Sequence, residues 1–187
     1  MADTKSRRFV YRSLLKLMGV VGLGFVAYAL LGSLLTGRDE GRPPVVTVDL
    51  STLEPGAMLV QEWTGRDVLV LHRTESMLAA LRQGEAELQD PASQTSRQPP
   101  GAANQVRARR PQYFVAIAQG TDLNCPLRLV TDPSDWPGGF VDRCRGSRYD
   151  FAGRVLAGQE AQRNLAVPPH HFDGRTLVIG RSETVSR

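Results

Sequence analysis

Apolar and polar positions fall into two regimes along the chain. Residues 17–37, LMGVVGLGFVAYALLGSLLTG, run for 21 positions without a charge between Lys16 and Arg38. A helix rises about 1.5 Å per residue, so this stretch spans roughly 30 Å, the thickness of a bilayer's hydrocarbon core. Beyond it the apolar runs are short, at 45–50, 58–60, 68–72, 113–118, 127–130, 154–156 and 176–179. They are rich in Val, Ile and Leu and separated by Gly, Pro and Asp, the pattern of strands in a small antiparallel β domain. One helix interrupts them, predicted over 74–82, where Thr74 caps and Glu75 sits in the first turn.

The predicted fold class is therefore mainly β: a basic segment 1–16, one transmembrane helix 17–37, a tether 38–44 and a β domain 45–187. The tether follows from GRDEGRPP, which mixes Gly, Pro and charge. Residues 89–112, QDPASQTSRQPPGAANQVRARRPQ, are polar and rich in Pro, Ala and Arg, and are expected to form a long exposed loop that buries little.

Charge refines the picture. The net charge of +4 and pI near 9.5 raise the question of nucleic-acid binding. Residues 1–16 hold Lys5, Arg7, Arg8, Arg12 and Lys16 against Asp3, which accounts for the whole excess; 18 basic and 18 acidic residues follow. A formally neutral domain has no counterions to release from a phosphate backbone, so no nucleic-acid partner is expected. The basic cluster before the apolar stretch predicts a cytoplasmic N-terminus, a single pass through a bacterial inner membrane and a periplasmic C-terminal domain. Ser6-Arg7-Arg8-Phe9 resembles a degraded twin-arginine export signal, and plain positive-inside charge accounts for it equally well.

The two cysteines, Cys125 and Cys144, lie in the exported part, where disulfides persist. A bond between them is the default expectation; free thiols or a metal site are the alternatives. After Cys144 come Gly146-Ser147-Arg148-Tyr149-Asp150, Gly153-Arg154-Val155 and Asn164-Leu165-x-Val167-Pro168, in that order. Upstream stand Val48-Asp49-Leu50-Ser51, Glu54-Pro55-Gly56, Trp63-x-Gly65 and Leu88-x-Asp90-Pro91. Together these resemble the Rieske iron–sulfur subunit of quinol:cytochrome c reductases, over roughly residues 45–180 plus the single anchor. The resemblance implies a base made of 45–118 and 155–187 and a cluster-binding subdomain at 119–154.

The departures from that pattern carry the most information. A Rieske centre takes two cysteine thiolates and two histidine imidazoles, and respiratory members add a disulfide between the two cluster loops. The family's C-T-H-L-G-C falls on Gly120-Thr121-Asp122-Leu123-Asn124-Cys125, and its C-P-C-H-G-S on Asp142-Arg143-Cys144-Arg145-Gly146-Ser147. The resemblance thus places the four ligand positions at Gly120, Asp122, Asp142 and Arg145, while Cys125 and Cys144 take the disulfide positions. The family's proline loop becomes Gly158-Gln159-Glu160-Ala161. No cofactor is expected; a two-iron two-sulfur cluster would require other ligands. His72, His170 and His171 fall outside both loops, and the adjacent pair is expected to be a solvated or capping feature. Gly146, Ser147, Tyr149 and Asp150 are retained, which fits turn geometry and hydrogen bonds to the loop backbone. Asp122, Asp142, Arg143 and Arg145 bring new charge to the same loops, and at least one carboxylate–arginine bridge is expected to join them.

The leading functional expectation is a clusterless, non-redox subunit with a structural or assembly role in a quinol-oxidising respiratory membrane complex. Its partners would be other subunits, of cytochrome b or cytochrome c type. A genuine electron-transferring Rieske subunit is the alternative, and a membrane-tethered periplasmic binding module presenting residues 89–112 is a third. No catalytic residues are expected.

Overall fold

The computed structural model describes residues 4–35, 44–83 and 88–182 of the 187. The chain divides into two compact units, residues 1–42 and 43–187. In the first, α1 runs Thr4–Leu35, so the helix begins well before the charge-free stretch and takes in much of the basic segment. Its segment Val10–Gly32 is long and apolar enough to cross a membrane, with a mean hydropathy of 2.1 and no residue of the span buried. Residues 38–43 of the expected tether lie outside the described residues.

Among its described residues the second unit holds nine strands, a short α-helix and one 3-10 turn at Pro100–Ala102: β1 Val46–Asp49, β2 Met58–Trp63, β3 Arg66–His72, α2 Glu75–Gln83, β4 Tyr113–Ile117, β5 Leu127–Val130, β6 Gly139–Asp142, β7 Arg148–Tyr149, β8 His170–Asp173 and β9 Thr176–Ile179. They form three antiparallel three-stranded sheets, ordered β1-β9-β8, β2-β3-β4 and β5-β6-β7. Thr74 caps α2 by accepting the Met77 N–H on its hydroxyl at 3.3 Å.

The middle sheet is covered on both faces, and the alternation of side chains along β3 and β4 shows how. Val68, Val70, Val115 and Ile117 point to a core shared with Val48, Leu50, Leu177 and Ile179 of the β1-β9-β8 sheet. Leu69, Leu71, Phe114 and Ala116 point the other way, into a core with α2, with Phe140 and Tyr149 of the β5-β6-β7 sheet and with Phe151 just beyond it. Residues 68–71 are therefore continuously apolar and wholly buried, as a strand with two packed faces demands. Each such side chain contributes roughly 1.5–3 kcal/mol.

Three expectations are corrected. The run 154–156 is not a strand; Val155 and Leu156 make only single bridges, to Tyr149 and Leu88. The histidine pair opens β8, and His170 is 1% exposed rather than solvated. The 89–112 segment is irregular but not merely a surface loop. Arg107 from its middle is 1% exposed and donates to the carbonyls of Ala152 at 3.0 Å, Gly153 at 3.2 Å and Leu165 at 2.7 Å, and to Gln98 Oε1 at 2.9 Å. Composition predicted exposure because arginine is costly to bury; four acceptors on one guanidinium offset that cost.

Candidate functional site: two disulfide-linked loops

The first loop links β4 to β5. It closes by a bridge between Gln119 and Pro126, with the Gly120 N–H donating to Cys125 O at 2.8 Å and Asn124 N–H to Gly120 O at 3.1 Å. The second loop links β6 to β7, with the Asp142 N–H on Ser147 O at 2.9 Å and the Gly146 N–H on Asp142 O at 3.0 Å. Gly146 sits at φ +74° with nothing within 4 Å of where a Cβ would stand, so the backbone conformation itself accounts for the glycine. The two loops are joined by the expected Cys125–Cys144 disulfide, Cα atoms 6.0 Å apart, and by the Arg143 N–H on Pro126 O at 3.1 Å.

The structure brings all four ligand positions of the resemblance into this pair of loops. Asp142 is 2% exposed, and its Oδ1 accepts the N–H groups of Cys144 at 2.7 Å and Arg145 at 3.1 Å, which caps the second loop from within. A Cβ built on Gly120 would fall on the Asp142 carboxylate, with Cγ at 2.9 Å. The Asp142 side chain therefore occupies the room a side chain at 120 would need. Arg145 spans the loops: its Nε lies 3.3 Å from Asp122 Oδ2, and its Nη1 lies 3.2 Å from Glu160 Oε2 in the Gly158–Ala161 stretch. This is a carboxylate–arginine bridge between the loops, with Glu160 as a third member that sequence reasoning did not assign. Arg143 is exposed and takes no part in it.

The retained residues serve the polypeptide. Ser147 Oγ accepts the Ala161 N–H at 3.2 Å. Tyr149 is buried, and its hydroxyl accepts the Thr121 N–H at 2.9 Å and meets Thr121 Oγ1 at 3.1 Å; burial raises its pKa. Thr121 Oγ1 in turn donates to Arg163 O at 2.6 Å. Asp150 accepts the N–H groups of Ala152 and Arg154 and the Arg154 Nε, the last at 2.7 Å, so it pairs a fully buried guanidinium.

A Rieske centre takes two thiolates and two imidazoles. The four positions present a glycine, two carboxylates and a guanidinium. Asp142 and the two sulfurs lie within 4.8 Å of one another, but both sulfurs are committed to the disulfide. The histidines lie elsewhere: His72 Nδ1 contacts Leu53 O at 2.6 Å, His170 Nδ1 contacts Pro168 O at 2.9 Å and His171 Nδ1 contacts Arg181 O at 3.0 Å. Guanidinium cannot ligate a metal, and carboxylate is a hard donor for a soft sulfide-bridged iron. These residues do not fit the group.

Behind the loops lies an arrangement the sequence did not suggest: Arg73, Arg107 and Arg154 are all buried. Arg73 donates to the carbonyls of Pro111, Val106 and Phe151, at 2.8, 2.9 and 3.2 Å. Burial lowers the pKa of Arg73 and of Arg107 to about 10, with the Asp150 carboxylate opposing the shift. These guanidiniums tie 89–112, α2 and the second-loop sheet together.

Three antiparallel sheets, two loops clasped by a disulfide, and an N-terminal apolar helix define a Rieske-type domain on a chain with a helix fit to cross a membrane. No family model matches the chain. It is 39% identical over 186 residues to the ubiquinol-cytochrome c reductase iron-sulfur subunit of Allochromatium vinosum, covering 94% of this chain and 89% of that one. It is 30% identical to the corresponding subunit of Rhodospirillum rubrum, over 87% and 85% of the two chains. It is 34% identical to the mitochondrial Rieske subunit of the cytochrome b-c1 complex of Schizosaccharomyces pombe, over 71% and 53%. Among solved structures, a chain of a hyperthermophilic respiratory Complex III matches with a TM-score of 0.49 and 20% identity, over 90% of this chain and 98% of that one. The chain belongs to the family of Rieske subunits of ubiquinol-cytochrome c reductase.

Proposed function

We propose that this chain is a clusterless Rieske-family subunit that assembles in a respiratory membrane complex and contributes contacts rather than electrons. The observation that carries the reading is the Asp142 side chain, which fills the room a side chain at 120 would need and spends its Oδ1 on the loop's own N–H groups. Arg145 adds support, since it ties Asp122 and Glu160 together across three loops. The relatives' names place them in ubiquinol-cytochrome c reductase, and the kept scaffold motivates a place among the subunits of such a complex here. The basic residues before the apolar span support an N-terminus on the cytoplasmic side and a β domain in the periplasm.

Electron paramagnetic resonance of the dithionite-reduced native complex, isolated in mild detergent, tests this. The expected spectrum lacks a Rieske signal while the chain co-purifies with membrane subunits; a Rieske signal, or recovery only as a free monomer, overturns the proposal. The second reading, a cluster-bearing electron-transfer subunit, draws on the iron-sulfur names of the relatives and predicts the opposite spectrum. A binding module presenting residues 89–112 loses support, because Arg107 anchors that segment in the interior.

A further inference from the structure

A cavity of about 320 Å³ opens beside the first loop, between that loop, the β2–β3 hairpin, the 89–112 segment and the stretch following the second loop. Arg66, Arg97 and Arg163 reach it from three separate parts of the chain, and no carboxylate lines it. Among the described residues, none of these three guanidiniums has a hydrogen-bond or ion-pair partner. Elsewhere among the described residues of the domain Arg145 pairs with Asp122, Arg148 with Asp135 and Arg154 with Asp150, while Arg128 and Arg143 stand singly on the surface.

Three other lining residues can donate as well. Ser96 Oγ already accepts the Asn164 N–H at 3.0 Å, which leaves its hydroxyl hydrogen to give, and the amides of Gln119 and Asn124 line the same wall. A second cleft of about 370 Å³ shares Arg66 and Arg97 with the first and continues past Trp63 and Val167. Guanidinium forks match the oxygens of a phosphate two at a time, and three arginines lining one cavity answer a multiply charged oxyanion better than a single carboxylate. We propose that this cavity is a phosphate-binding site, taking either a free phosphate group or the phosphate of an amphiphile whose apolar part enters the adjoining cleft.

The test is calorimetric titration of the full chain in maltoside detergent, in phosphate-free buffer, with inorganic phosphate and with dihexanoyl phosphatidic acid below its micellar concentration. Saturable one-to-one binding is expected, weakened roughly tenfold by Arg97→Gln and by Arg163→Gln, and unchanged by Arg128→Gln, an exposed arginine on β5 outside the cavity. Equal affinity for the two probes assigns a free phosphate; tighter binding of the lipid analogue assigns the amphiphile. Absence of saturable binding of either probe, or equal weakening by Arg128→Gln, overturns the proposal. Each variant's thermal melt is recorded beside its titration, and the exposed positions 97 and 163 are expected to leave it unmoved. The outcome is separate from the question of the cluster, which spectroscopy decides.

Discussion

One carboxylate carries most of the local argument. Asp142 stands where the family resemblance places a thiolate, and its buried oxygen instead stops two backbone N–H groups from going unpaired. Asp142→Ala is expected to cost about 1–2 kcal/mol in urea unfolding, the worth of a lost cap of this kind. Gly120→Cys is expected to cost about 1–3 kcal/mol, because its Cβ meets the Asp142 carboxylate. The double variant should cost less than the sum of the two, by about 1 kcal/mol, since removing the carboxylate vacates the contested space. Strict additivity would show that the two positions do not share it. The Arg145 bridge, by contrast, is solvent-exposed at both ends, so Arg145→Ala should change stability by less than about 1 kcal/mol.

At the scale of elements, two buried cationic or titratable groups set expectations. Arg107→Met removes a guanidinium that four acceptors hold, leaving three carbonyls without that donor; a loss of about 3–5 kcal/mol is expected in urea unfolding, with faster protease cleavage in 89–112. His170, on β8, is pushed down to about 4 by burial, with Arg109 and His171 adding to the shift and the Pro168 carbonyl opposing it. Between pH 6.5 and 4 the unfolded chain binds the proton that the folded one refuses, so this contribution is complete above about 6.5 and is lost as pH falls toward 4. His170→Phe should flatten the stability profile in that window.

Elements were legible where periodicity was strong: the double-faced β3 and β4 and the capped α2 announced themselves as runs of Val, Leu and Phe or as Thr74 before Glu75. They were not legible where pairing, not pattern, makes the strand. β6 begins at a glycine after Pro137-Gly138, β7 has two residues, and β8 reads His-His-Phe-Asp. The pairing of the two loops through Cys125 and Cys144 was legible, and Gly146-Ser147-x-Tyr149-Asp150 is what sets the register of the second loop in the resemblance. The buried arginines were not, since composition cannot say which guanidinium will find carbonyls.

For the molecule as a whole, a Rieske-family scaffold surrounds two loops that present a glycine, two carboxylates and a guanidinium at the positions the resemblance gives to ligands. Both cores run through the middle sheet, and the second extends into the β5-β6-β7 sheet through Phe140 and Tyr149, so the loops are held by packing as well as by the disulfide. The proposed clusterless reading relies on this packing, since no inorganic centre would then hold the loops. Iron and acid-labile sulfide, measured per polypeptide on complex prepared anaerobically from native membranes, bear on this most directly. The account predicts neither element above background attributable to this chain; two irons and two sulfides per polypeptide would contradict it.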